Sequence, residues 1–484
     1  MQVKDKMRRS KCDDCPRVKA LEARIQRLER RVAELTAALD EARRASRRQA
    51  APFSKGEPKR DPKRPGRKPG KAYGKRAFRP RPRRVDEDYD VPLPGRCMHP
   101  GCAGSVHEDG VAEQYQQDIP PVRPITRRFK VHYGRCDLCG RHVQGRHPLQ
   151  TSDALGAASV QIGPNALALA AQMNKELGVT YGKIVVFFET AFRLVVARST
   201  WCRANMRLAA KARPTVNAMV VAVRQAVVVY ADETGWKIAG VMAWLWVFVT
   251  AEVTVYVIRR SRGFDVIEEM LTAEYAGKLG RDGWAPYRKL EKCLHQSCLG
   301  HFRVRCRNML EVAVAGEARY PLAVRGVLKD AVALRDRRDE MGPHGFAVAL
   351  GRLEARADRL LESRLTHGPN VRLQKHLANE RGALFTFLRH PEVEPTDWPG
   401  EQAIRPGVVN RKTSGGSRSD CGSDAQGILT SAFRTARQQG RDPVALAVRL
   451  MRSPRPIDLG LARGRTGRAR LAPLPRGQPA LAAA

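Results

Sequence analysis

Acidic residues are scarce. The 484-residue chain holds 49 Asp plus Glu against 87 Lys plus Arg, a formal charge of +38. That imbalance excludes an ordinary metabolic enzyme and calls for a polyanionic partner. An apolar leader is also missing: the first twenty residues are charged, so no secretory signal is expected. No Gly-x4-Gly-Lys-Ser/Thr phosphate loop occurs, and nucleotide hydrolysis is not suggested. Cysteines number only eleven, an odd count gathered in close pairs. This argues against a secreted disulfide framework and for metal ligation with reduced thiols inside a cell.

Long apolar runs are rare too. Residues 238–258 imitate a membrane span in length, but Thr250, Glu252 and Thr254 interrupt them, and β-branched and aromatic residues such as Val247, Phe248, Val249, Val253 and Tyr256 dominate. Two buried strands joined by a turn at Thr250–Glu252 are expected, with no membrane partner. What is present in quantity is core material, 43% hydrophobic residues, enough for one large core or several small ones.

The chain divides by composition. In residues 1–50, Val18, Leu21, Ile25, Leu28, Val32, Leu35 and Leu39 form one heptad seam flanked by Arg and Glu. The preferred reading is a leucine-zipper-like coiled coil through which copies self-associate; the alternative is an amphipathic helix packed on its own protein. Cys12-x2-Cys15, just ahead, is read as incidental. Residues 51–92 form a basic linker: between Lys55 and Arg84 fourteen basic residues face two acids, with Pro and Gly opposing regular structure. Its centre, Arg64-Pro65-Gly66-Arg67-Lys68-Pro69, resembles arms that enter the DNA minor groove. The alternative is a spacer that touches phosphates without reading sequence, and either reading puts Arg64, Arg67 and Lys68 on nucleic acid. In residues 93–150, Cys97-x4-Cys102 and Cys136-x2-Cys139 flank a β-rich stretch and suit one structural Zn²⁺ held by four thiolates, with no position left for water. Residues 151–215 read as helices with a sharp turn at Leu177–Gly182, either a small helix-turn-helix or an ordinary connector.

Strands begin in residues 216–300. The apolar run Val227–Ala231 ends in Asp232-Glu233-Thr234-Gly235-Trp236, so a carboxylate is expected at a buried strand's end, where a divalent cation is the usual partner. Strands at 241–249 and 253–259 and an amphipathic helix at 264–275 should follow. Three meandering strands and then a helix open an RNase H-like fold. A short fourth strand should end at Asp282, in Gly280-Arg281-Asp282-Gly283-Trp284. Two aspartates ending neighbouring strands can hold Mg²⁺ (or Mn²⁺) for phosphodiester chemistry; the alternative is two surface turn residues.

The motifs Asp232-Glu233-Thr234-Gly235-Trp236, Asp282-Gly283-Trp284-Ala285-Pro286-Tyr287, Cys298-x2-His301-x-Arg303, Glu401-x2-Ile404-Arg405-Pro406, Arg411-Lys412 and Ser414-Gly415-Gly416-Ser417 occur in that order. The series resembles the insertion-sequence-sixty-six family of bacterial DDE transposases. The likeness covers nearly the whole chain, since that family also carries an N-terminal zipper, a basic linker and a four-cysteine zinc motif. It implies an RNase H-like catalytic core for metal-dependent 3′-end nicking and strand transfer of an insertion sequence, in a cytoplasmic, nucleoid-associated protein. Asp232 and Asp282 match the first two acids of the family and Glu401 the third, on a helix starting after Pro399-Gly400; together they would hold Mg²⁺ (or Mn²⁺). Where the family has paired Asn and an Arg, this chain has Asp397, Trp398 and Gln402. Glu392 and Glu394 are therefore rivals to Glu401, and a non-catalytic, domesticated or decayed DNA-binding protein is the alternative function.

Between Asp282 and Glu401 lie 118 residues, so residues 301–395 are read as a helical insertion and 396–452 as the second part of the core, closed by a helix at Val444–Met451. Residues 453–484 read as a disordered basic tail. Cys293, Cys298, His301 and Cys306 are either a second metal set or packing residues; packing is preferred, with His301 near the active centre. Arg405, Arg411, Lys412 and Arg418 surround a Gly/Ser loop suited to close phosphate approach, or else a mobile linker. The expected class is a multidomain α+β/α/β protein.

Overall fold

The computed structural model describes residues 20–21, 23–32, 34–35, 81–120, 122–155 and 161–462. The chain divides into two compact units, 1–120 and 121–484. Cys12, Cys15, Arg64, Arg67, Lys68 and residues 463–484 lie outside the described residues, as do Val18 and Leu39 at the ends of the heptad seam.

In the first unit the described part of 20–35 is helical. Leu21, Ile25, Leu28 and Leu35 are each more than half exposed along one seam. Further on, Cys97 N–H donates to Gly104 O and Cys102 N–H to His99 O, and an isolated bridge joins Arg96 to Ser105. The result is a tight knuckle around the first cysteine pair.

The second unit opens with a small hairpin, β1 (Tyr133–Arg135) and β2 (His142–Gln144), whose loop carries the second cysteine pair. Helices α1 (Pro164–Lys175), α2 (Tyr181–Phe192) and α3 (Arg198–Gln225) follow. The central sheet has five strands: β3 (Val228–Ile238), β4 (Val241–Val249), β5 (Thr254–Arg259), β6 (Lys278–Arg281) and β7 (Leu294–Ser297). Their spatial order is β5-β4-β3-β6-β7, antiparallel among β3, β4 and β5 and parallel from β3 through β6 to β7. The stretch that imitates a membrane span is thus the β4–β5 hairpin, closed as expected at Thr250, whose hydroxyl accepts from the backbone of Glu252 and Val253. Among the described residues no helix is long and apolar enough to cross a membrane.

Strand side chains alternate between faces, and the two faces of β3 bury different partners. Val229 and Ala231 join Trp246, Phe248, Val253 and Val255 in a core completed by α1, α3, α4 (Phe264–Leu271), and two later helices, α11 (Asp420–Gln438) and α12 (Pro443–Arg452). Tyr230, Trp236 and Ile238 join Leu245, Val247 and Tyr256 beneath α10 (Trp398–Ser414). At Gly407 a Cβ would come within 2.2 Å of Leu245 Cδ2, so α10 lies on β4 at a distance that only glycine permits there.

Between β7 and α10 the chain forms α5 (Leu299–Leu310), α6 (Arg319–Asp336), α7 (Pro343–Leu361), α8 (Gly368–Glu380) and the single turn α9 (Thr386–Arg389). These helices bury their own apolar cluster, among others Phe302, Leu328, Leu353, Leu373 and Phe387.

Three expectations change. β3 does not stop at Asp232 but runs on to Ile238, because its pairing with β4 continues to the turn. Helix α4 ends at Leu271 rather than Tyr275, where Thr272 takes φ +68°. Residues 453–462, assigned to a disordered tail, pack against α3: Thr215 donates to Ile457 O and accepts from Leu459 N–H, and Leu461 is fully buried.

Candidate active site

The geometry follows from strand register. β3 and β6 run parallel with Tyr230 beside Gly280, so continuing two residues brings Asp232 level with Asp282. β6 and β7 pair Arg281 with Ser297, which brings Asp282 level with Cys298; Cys298 N–H indeed donates to Arg281 O at 2.9 Å. Neighbouring strands lie about 4.8 Å apart, and the three residues form one row just past the parallel pairing, within β3 and directly after β6 and β7. β6 ends at Arg281, so Asp282 follows it directly.

Glu401 enters from the first turn of α10. Its Oε1 lies 3.8 Å from both Cys298 Sγ and His301 Nδ1. The helix begins at Trp398, with Pro399 in its first turn and Asp397 as N-cap. Proline fits there because its missing N–H has no helical acceptor to lose. Glu392 and Glu394 go elsewhere, Glu392 pairing with Lys278 at 3.0 Å and Glu394 with Arg335 at 3.2 Å.

The carboxyl groups feel one another. Burial and the charge of Glu233 push the Asp232 carboxyl up to about 7, and Asp282 and Glu401 add to the rise. Asp397 is fully buried, and that burial, with the charges of Asp232, Cys298, Glu401 and Asp282, holds its carboxyl well above the usual range. Neither Asp397 oxygen has a hydrogen-bond partner. A buried acid without a donor is costly, and a cation among these oxygens would relieve it. The donor set is dominated by hard oxygens, which suits Mg²⁺ or Mn²⁺.

Backbone donors orient both aspartates: Glu233 N–H binds Asp232 Oδ1 and Trp284 N–H binds Asp282 Oδ1, each at 2.8 Å. Behind them stands a brace that sequence reasoning missed. Glu233, on the opposite face of β3, accepts from Arg262 (3.0 and 2.8 Å) and from Tyr287 Oη (2.8 Å). Arg262 lies between the rings of Trp244 and Trp284 at 4.4 and 3.8 Å from their centroids. A second brace comes from the helical segment. Glu380, with no exposed side-chain surface, pairs with Arg281 and Arg288, and Arg281 also donates to Asp282 O. Gly283 is pressed against His376, whose Cε1 would lie 2.5 Å from an added Cβ. Glu233 and Tyr287 stood within quoted motifs, but their pairing depends on the face each points to; Arg262 and Glu380 carry no local signal.

Cys293 and Cys306 are buried packing residues, whereas Cys298, His301 and Glu401 draw together with ligand atoms all within 4.8 Å of one another. The loop after α10 is pinned rather than mobile: Ser417 N–H donates to Lys237 O, Ala239 N–H donates to Ser417 O, and Trp236 Nε1 donates to the Ser417 hydroxyl. Arg411 donates to Gly235 O, while Arg405, Lys412 and Arg418 are exposed. The Gly104 backbone and then Cys97 lower the Cys102 thiol, and contacts with Cys139 and Leu138 lower that of Cys136.

A family model described as Transposase IS66 family matches residues 159–425. Comparison with curated proteins gives no match. The matched span takes in the central sheet, the helical segment and α10, more than half of the chain, and the protein belongs to the IS66 family of transposases.

Proposed function

We propose that the protein is a DDE transposase whose Asp232, Asp282 and Glu401 hold Mg²⁺ (or Mn²⁺) for 3′-end nicking and strand transfer of an insertion sequence. The observation that carries this reading is the pair of acids brought level on β3 and directly after β6, met by Glu401 and by an unpartnered, buried Asp397. The strand order, three antiparallel then two parallel, with acids on β3 and directly after β6, supports an RNase H-like core.

The ions, when bound, would activate the attacking hydroxyl and neutralise charge on the phosphodiester. The chain's own residues supply position. Backbone N–H groups fix one oxygen of each aspartate, the Glu233–Arg262–Tyr287 brace stiffens β3 behind Asp232, and the Arg281–Glu380 pair stiffens the turn at Asp282. Such preorganisation is what phosphoryl transfer asks of a protein. Arg405, Lys412 and Arg418, with Arg64, Arg67 and Lys68 of the linker, would contact DNA phosphates; Arg411 would chiefly tie α10 to β3. The four cysteines Cys97, Cys102, Cys136 and Cys139 are assigned to structural Zn²⁺, and the exposed leucine seam of 20–35 to pairing with a second copy.

The test incubates purified protein with labelled element-end DNA and Mg²⁺, beside Asp232→Asn and Asp282→Asn. Wild type should nick and join while both variants bind without cutting. Binding without cutting by wild type would instead support the non-catalytic DNA-binding reading, for which Asp397 and Gln402, in place of the family's usual residues, are the specific grounds.

A further inference from the structure

We propose that Cys298, His301 and Glu401 form a site for a thiophilic divalent ion of the zinc class, and that this ion takes Glu401 away from the hard-metal site. The inference rests on the preceding reading only for the consequence to catalysis. The site itself stands on geometry. Cys298 caps α5 and His301 lies in its first turn, the i, i+3 spacing that puts two side chains on one helical face. Glu401 Oε1 lies 3.8 Å from each of their ligand atoms, and all three atoms are within 4.8 Å.

Zinc bonds of about 2.3 Å to sulfur and about 2.0–2.1 Å to nitrogen or oxygen, at tetrahedral angles, require ligand atoms about 3.3–3.6 Å apart. Rotation of the three side chains would close that gap. Three protein ligands leave the fourth position open. Two further observations favour an ion here. Asp397 N–H donates to Cys298 Sγ at 3.2 Å, the kind of support from outside the ligand set that orients a metal-bound thiolate. The Asp397 carboxyl, buried and without a hydrogen-bond partner, faces the same group of acids.

Selectivity follows from ligand type. Mg²⁺ takes oxygen ligands and would ignore the thiol, whereas zinc prefers sulfur and imidazole. Binding requires the Cys298 thiol to give its proton to solvent, so uptake of one ion releases one proton from that group. Since Glu401 serves both sites, zinc occupancy and the catalytic arrangement exclude each other.

The experiment uses the full chain, first stripped of metal, and titrates Zn²⁺ by calorimetry and Co²⁺ by the absorption of its thiolate complex. The exposed His301 makes His301→Ala the variant expected to fold normally; Cys298→Ser is measured beside it. Wild type should bind one more equivalent than either variant, over whatever the other cysteines bind, and that extra equivalent should show cobalt–thiolate absorption. In the nicking assay with Mg²⁺, added zinc should inhibit wild type at concentrations at least tenfold below those that inhibit His301→Ala, each scored against its own zinc-free rate. Equal stoichiometry and affinity in wild type and both variants would overturn the site. An extra equivalent with no effect on nicking would overturn the exclusion. A protein that binds the extra ion but never nicks DNA would leave the metal site standing and refute the transposase reading instead.

Discussion

Replacing Glu380 by Ala isolates the pair that ties the helical segment to the turn at Asp282. The Glu380 side chain is fully buried and that of Arg281 is 2% exposed, so the substitution leaves a guanidinium in the interior without its counter-charge. Breaking such a pair from one side costs about 3–5 kcal/mol. The second partner, Arg288, has a side chain 34% exposed and adds at most about 1 kcal/mol, since water screens it. Against a total stability of about 5–15 kcal/mol this is a large loss. At roughly 2 °C per kcal/mol for a unit of this size, it lowers the melting temperature by about 6–12 °C. Scanning calorimetry of the full chain reads the shift directly. Arg281→Met combined with Glu380→Leu removes both charges and keeps the volume, and should fall within about 2 kcal/mol of wild type. A drop of less than 2 °C for Glu380→Ala, or a double variant worse than either single one, would refute the reasoning.

Other consequences can be checked in parallel. The folded chain holds a proton on Asp232 up to about pH 7, and burial likewise raises the Asp397 carboxyl well above the usual range, whereas the unfolded chain gives up both protons near pH 4. Metal-free protein should therefore lose stability as pH rises from about 4 to 7, and added Mg²⁺ at pH 8 should restore it; melts that improve across that window without metal would contradict this. Tyr287→Phe deprives buried Glu233 of one donor and should cost about 1–3 kcal/mol, seen in the same calorimeter. Arg405→Ala and Arg418→Ala should each weaken DNA binding regardless of sequence and reduce the slope of log K against log salt by about 1, measured by titration at several ionic strengths.

Much of the fold was legible because its signals are local. The strands at 241–249 and 254–259 declare themselves by composition, Thr250 by its turn chemistry, and the short strand before Asp282 by the Gly-rich turn that follows. What stayed hidden depends on partners distant in sequence. Nothing near Asp232 says that β3 continues past it; that is decided by β4, which keeps pairing to Ile238. The packing of 453–462 depends on Thr215, more than two hundred residues earlier. Of the proposed site, Asp232, Asp282 and Glu401 could be named from their motifs. Cys298 and His301 could be named too, but not their meeting with Glu401, which needs α5 and α10 to start side by side. Asp397 was visible only as a departure from the family's pattern; its burial and lack of a donor appear in three dimensions alone. Glu380 and Arg262 belong to elements with no motif, and only tertiary pairing gives them a role.

The central claim is that Asp232, Asp282 and Glu401 together grip divalent metal, and crystals soaked in Mn²⁺ test it most directly through anomalous scattering. The account expects a peak about 2.1 Å from carboxylate oxygens of these residues, lost in Asp232→Asn. Manganese bound elsewhere, or a site at this row without any of the three carboxylates, would contradict it.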